Sequence, residues 1–191
     1  NTDTVPTASD YVIIATGHTV TVTAAAAAAG ITLNAPAAGN GININAGITL
    51  AVGGADGGAI NFVGSATAFN STLAVGTGIL QAGRIVVQEG AGAGDSAVTL
   101  GATGTITLTR SIVFSGATAA DATLTVTGAG GITVGKDFTS GGTFAGGTGT
   151  LTFNGSGVQT MGAYTYNHVT INNTAPGIVT PAGNVTVVGN L

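Results

Sequence analysis

Seven acidic and three basic side chains in 191 residues leave little from which to build a catalytic centre, so their spacing carries the information. All three cations recur at one constant interval, as Arg84, Arg110 and Lys136. Asp95 and Asp121 share that interval, and Asn70 precedes Asp95 by almost the same step. A carboxylate pair is what a glycosidase or lyase uses as general acid and base. The same three residues also read as turn formers, because short amide and carboxylate side chains bond nearby backbone. The turn reading is the simpler one. For the cations two uses arise, holding an anionic glycan or meeting the carboxylates of a neighbouring subunit; a solvated corner is the plain alternative. His18 and His168 are distant in sequence with no ligand pattern around them, so no zinc site is expected. Gly53-Gly54-Ala55-Asp56 is one imperfect copy of a repeated calcium motif. No nucleophile elbow anchors a Ser/His/Asp site. No cofactor and no metal are expected.

The segments that must position the cations are strands. Gly78-Ile79-Leu80-Gln81-Ala82-Gly83-Arg84 aligns with Gly104-Thr105-Ile106-Thr107-Leu108-Thr109-Arg110, and again with Gly130-Gly131-Ile132-Thr133-Val134-Gly135-Lys136. Apolar residues alternate, which is the period of a strand with one buried face. If Ile106 and Leu108 point inward, an unbroken strand would bury Arg110 as well, at a cost of many kcal/mol. The chain must therefore bend at Gly83, Thr109 and Gly135, leaving each cation outward at a corner. At about 5 Å in water such neighbours repel by only about 0.8 kcal/mol.

An apolar couplet followed by glycine extends the pattern: Leu50/Val52, Leu73/Val75, Val98/Leu100, Leu124/Val126 and Leu151/Phe153, with Val12/Ile14, Ile31/Leu33 and Val185/Val187 at the ends. Taken as one column, these returns predict an all-β parallel β-helix, or β-solenoid. It would have about seven to eight rungs of 19 to 34 residues, widening toward the C-terminus. One domain spans 1–191: a lead-in at 1–11, rungs over 12–183, and a terminal strand at 184–191. That strand, with Val185, Val187 and Leu191, is expected to pair with a neighbouring copy. Turns with positive φ are expected at Gly39-Asn40-Gly41 and across Gly53 to Gly58. Ala24 to Ala29 are too few to nucleate a helix alone and read as a packed corner, with a one-turn helix as the alternative.

Composition excludes several classes. Disorder requires low hydrophobicity, whereas 44% of residues are apolar. A net charge of −4 with three cations provides no basic patch for nucleic acid. The uncharged run 19–55 is broken by Pro36, many Gly and several Asn, so no transmembrane helix is expected. The aromatic girdles of a membrane barrel are missing.

Two segments resemble known sequences. Val5-Pro6-Thr7-Ala8-Ser9-Asp10-Tyr11-Val12-Ile13-Ile14-Ala15-Thr16-Gly17-His18 resembles the opening of β-helical modules in large secreted bacterial surface proteins. Thr152-Phe153-Asn154-Gly155-Ser156-Gly157-Val158-Gln159-Thr160-Met161, with Gly183-Asn184-Val185-Thr186-Val187, is similar to repeats of adhesin-like and autotransporter-passenger-like proteins. The resemblance implies an extracellular, cell-surface location and carries over no catalytic residue. The expectation is a non-enzymatic structural protein, a subunit or segment of a cell-surface fibre, stalk or filament assembled through its open ends, which either continue into further rungs or join copies of the chain. An adhesin or glycan-binding module is the alternative, ahead of a carbohydrate-active enzyme or an ice-binding protein. The last rests on Thr105-x-Thr107-x-Thr109 and Thr123-x-Thr125-x-Thr127, an array broken where Thr109 meets Gly83 and Gly135.

Overall fold

The structure is a computed structural model and describes residues 5–34, 37–53, 57–63, 69–88, 94–115 and 121–191. These residues hold 22 short strands and no helix. The strands follow one another in threes. The first turn carries β1 (Tyr11–Ile14), β2 (Thr19–Val22) and β3 (Ala26–Ala28); the second carries β4 (Gly30–Asn34), β5 (Asn40–Ile44) and β6 (Thr49–Val52). β7 (Ala59–Val63), β8 (Ser71–Gly76) and β9 (Ile79–Ala82) form the third, and β10 (Arg84–Gln88), β11 (Ser96–Leu100) and β12 (Thr105–Leu108) the fourth. β13 (Ile112–Ser115), β14 (Ala122–Val126) and β15 (Gly131–Val134) follow. The sixth turn keeps β16 (Thr143–Ala145) and β17 (Thr150–Phe153), and its first position is held by Phe138 through bridges to Ile112 and Met161. β18 (Gln159–Met161), β19 (Thr165–Tyr166) and β20 (His168–Ile171) make the seventh, then β21 (Val179–Pro181) and β22 (Thr186–Val187) the last.

Each strand pairs in parallel with the strand of the same position one turn away. Three sheets run along the coil: β1-β4-β7-β10-β13, β2-β5-β8-β11-β14-β16 and β3-β6-β9-β12-β15-β17-β20, with pairs β18-β21 and β19-β22 extending the last rungs. This is a parallel β-helix. Register keeps like with like inside: Ile31, Ile60, Ile85 and Ile112 stack in the first sheet, and Leu50, Leu80, Ile106, Ile132 and Leu151 in the third. Burying each such side chain stabilises by roughly 1.5 to 3 kcal/mol, and only stacking makes that burial possible.

The structure corrects the expected layout in four respects. The apolar couplets are not one column. Val12/Ile14 and Ile31/Leu33 belong to the first sheet, Leu73/Val75, Val98/Leu100 and Leu124/Val126 to the second, and Leu50/Val52 and Leu151/Phe153 to the third. A period of two tells that a strand faces inward and is silent about which face of the coil it lines. The coil also does not widen toward its C-terminus. The stretch of chain from Ile42 to its partner Leu73 is much longer than the stretch from Leu151 to its partner Val169. Rungs are longest near the second turn and contract afterwards. Thirdly, Ala26–Ala28 form β3, a true strand against Leu50, Ala51 and Val52. Finally, the Gly39-Asn40-Gly41 turn is absent, because Asn40 and Gly41 open β5. Asn40 is buried and its Nδ2 donates to the Ile14 carbonyl at 2.8 Å. The glycine-rich bend does occur at Gly57 and Gly58, with φ of 76° and 57°, while 54–56 lie outside the described residues.

Where the rungs contract, aromatic rings fill the interior. Phe138 is the hub, with ring centroids of Phe114, Phe144, Tyr164 and Tyr166 between 5.0 and 6.1 Å away. Such edge-on pairs add about 0.5 to 1.5 kcal/mol beyond burial. Gln159, fully buried, braces the same region through four hydrogen bonds.

Candidate functional site

The three cations stand where parity requires them, at the corner between the third sheet and the first. The turn there is tight because Gly83 has no side chain. A Cβ on Gly83 would collide with the Gly57 carbonyl oxygen, and one on Gly135 with that of Thr109. Backbone hydrogen bonds then ladder the corner: Arg84 N–H donates to Gly58 O at 3.0 Å, Arg110 N–H to Gly83 O at 2.8 Å, and Lys136 N–H to Arg110 O at 2.9 Å. Each cation is exposed, one rung above the last. Arg84 and Arg110 border a recess that Lys136 does not line.

The carboxylates occupy a different corner, between the first and second sheets. Asp121 O accepts from Ser96 N–H at 2.8 Å and Asp95 O from Ser71 N–H at 2.9 Å, continuing the ladder. Asn70 Oδ1 accepts from Asp95 N–H at 3.0 Å. The capping is thus between rungs and not within one turn. Asp95 and Asp121 are backbone-anchored corner residues, and among the described residues no group of three His, Cys, Asp or Glu is placed to hold a metal. His18 lies in the first turn and His168 in β20, at opposite ends of the coil.

Sequence reasoning missed one feature, a threonine ladder. Thr107, Thr133, Thr152 and Thr170 stack on the outer face of the third sheet. The interval that separates the cations finds Thr133 from Thr107, but the steps on to Thr152 and Thr170 are shorter, so a fixed offset loses them. The adjacent row is mixed, reading Thr105, Gly131, Thr150 and His168.

At the N-terminal end the strand edges are open among the described residues, whereas at the other end Asn190 O accepts from Val169 N–H of β20 at 2.9 Å. β1, β2 and β3 are the terminal strands of their sheets. Between them lies an apolar cavity of about 310 Å³ bordered by Val12, Ile14, Val20, Val22 and the alanines of β3, which Val5 and Pro6 reach. At the other end β22 pairs with β19 on one side, placing Thr186 beside Thr165 and Val187 beside Tyr166. Val185 and Val187 are partly buried against the core, while Leu191 is exposed. No family model matches the chain, and no curated protein or solved structure matches it. Its reading therefore rests on its own geometry. No helix among the described residues is long and apolar enough to cross a membrane.

Proposed function

We propose that this β-helix is a non-enzymatic structural element of an extracellular surface fibre or stalk, in which copies join end to end. One observation carries the reading: the N-terminal end face presents apolar interior beside strand edges that have a partner on one side only, and β21 and β22 are edge strands at the other end. Such edges template further strands unless they are covered. A second copy is a fitting cover, because the terminal rungs match. The step from Val12 to its partner Ile31 at one end is nearly equal to the step from Met161 to its partner Pro181 at the other. The resemblance of the opening and closing segments to secreted bacterial surface modules supports the location. A glycan-binding role is the second reading, favoured by the recess beside Arg84 and Arg110.

The test is sedimentation and electron microscopy of the 191-residue chain. Rods should appear that are longer than the roughly 40 Å of eight stacked rungs at about 4.8 Å each. Val20→Arg places a charge on the N-terminal face, where Val20 is already 42% exposed, and should stop growth while leaving the fold intact. A wild-type chain that stays monomeric at high concentration overturns end-to-end joining.

A further inference from the structure

We infer that the recess at the corner of the first and third sheets is a binding site for an acidic oligosaccharide, one bearing carboxylate or sulfate groups. It holds about 350 Å³ and is polar in character, unlike the apolar cavity at the N-terminal end. Its shape follows from register. Tyr11 pairs with Gly30, and Ala59 pairs with Arg84, in four successive rungs of one column. The two middle positions carry a hydrogen and a methyl, so a trough opens over Ala59 between the Tyr11 ring, which leans over Gly30, and Arg84; the Tyr11 and Arg84 backbones stand about 14 Å apart, three rungs at about 4.8 Å.

The two ends of the trough differ in chemistry. Tyr11 is 72% exposed, and its ring lies across Gly30: a Cβ there would stand 2.9 Å from ring carbons Cδ1 and Cε1. An exposed ring braced by one edge against the Gly30 backbone offers an apolar face and a polar tip, which suits the C–H face of a sugar. At the other end Arg84 and Arg110 approach from consecutive rungs. Planar guanidinium groups hold carboxylate or sulfate oxygens through paired, charge-assisted hydrogen bonds. Between the ends, Thr32 and Asn61 stack in the adjacent outward column and line the same recess, offering a hydroxyl and an amide to sugar hydroxyls. The volume lies within the roughly 300 to 1,000 Å³ of small-molecule sites. A nucleic acid is a poorer fit, since two guanidinium groups on a chain of net charge −4 neutralise too few phosphates.

This site is independent of end-to-end joining. Titration calorimetry of the full chain with trigalacturonate, a sulfated trisaccharide, neutral maltotriose and tetraglutamate tests it. At least one acidic saccharide should bind; maltotriose, which lacks the charge, and tetraglutamate, which lacks the sugar face for Tyr11, should each bind at least about tenfold more weakly, the worth of one lost contact. Arg84→Gln and Tyr11→Ala should each weaken binding by about tenfold. Ala59→Gln fills the trough while keeping both cations, and should abolish binding. Lys136→Gln removes a cation outside the recess and should leave affinity unchanged. Circular dichroism and melting curves show that each variant is folded. No binding of either acidic saccharide overturns the proposal, as does tetraglutamate binding equally well, or full affinity in a folded Ala59→Gln.

Discussion

Replacing Gln159 with methionine removes polar atoms from the interior at nearly constant length. Gln159 Nε2 donates to the carbonyls of Val134 at 3.1 Å and Lys136 at 2.6 Å, and Oε1 accepts from Gly155 N–H at 2.9 Å and Asn173 Nδ2 at 2.8 Å. Two of those partners keep another bond. Val134 O still accepts from Asn154 N–H at 3.1 Å, and Asn173 Nδ2 still donates to Gly157 O at 3.1 Å. The Gly155 N–H and the Lys136 carbonyl lose Gln159 outright. At about 1 to 3 kcal/mol for each stranded group, the two together cost about 4 kcal/mol, and thioether packing returns at most about 1. The net loss of about 3 kcal/mol is large against a total of about 5 to 15. With a urea slope of about 2 kcal/mol/M, the unfolding midpoint should fall by about 1.5 M. A fall smaller than about 0.3 M would refute the claim that these four bonds hold the contracted rungs together.

Other perturbations test the register, the corner and the aromatic interior. Leu100→Asp buries an unpaired carboxylate at a fully enclosed position and should unfold the chain, whereas Thr107→Asp, outward on the third sheet, should shift the melting temperature by only a degree or two, equivalent to about 0.5 kcal/mol. Equal damage from both would mean that the inward and outward faces are exchanged. Gly83→Ala drives a methyl into the Gly57 carbonyl, so a loss above about 2 kcal/mol is expected by denaturant titration, and a neutral outcome would contradict the tight corner. Burial pushes the Tyr166 phenol well above its usual range, with the neighbouring Tyr164 adding to it, and burial also raises Tyr164. Raised values favour the protonated fold, so this stability is fully present below about pH 10 and is lost as pH climbs past it. Ultraviolet titration should find Tyr164 and Tyr166 ionising late and together with unfolding; normal ionisation of these two would exclude the buried cluster.

Much of this was legible in the residues. Alternation in Leu124-Thr125-Val126 or Ile106-Thr107-Leu108 shows inward and outward faces directly, and the charge column Arg84, Arg110, Lys136 forces a bend wherever burial would be prohibitive. The assignment of couplets to sheets was not legible, because Ile31, Leu50 and Leu73 carry the same local signal on different faces and only pairing distinguishes them. Contraction of the last rungs was hidden too. Its cause is the replacement of aliphatic pairs by Phe138, Phe144, Tyr164 and Tyr166, whose rings fill the interior while fewer residues circle it. The trough beside Arg84 escaped notice for a related reason, since Tyr11, Gly30 and Ala59 become neighbours only through the unequal steps of the early rungs.

The inter-rung hydrogen bonds run along the axis of the coil, and this governs how the molecule answers a pull. Tension between the first and last rungs loads the bonds lengthwise, so strands at an end peel away in sequence and the ladder opens like a zip. Each released turn of about 25 residues lets out roughly 80 Å of extended chain where it had occupied about 4.8 Å. Rungs close by pairing with the turn still in place, so the template for recoiling survives every partial extension. A coil of this kind therefore lengthens in steps under sudden load and shortens again when the load is gone.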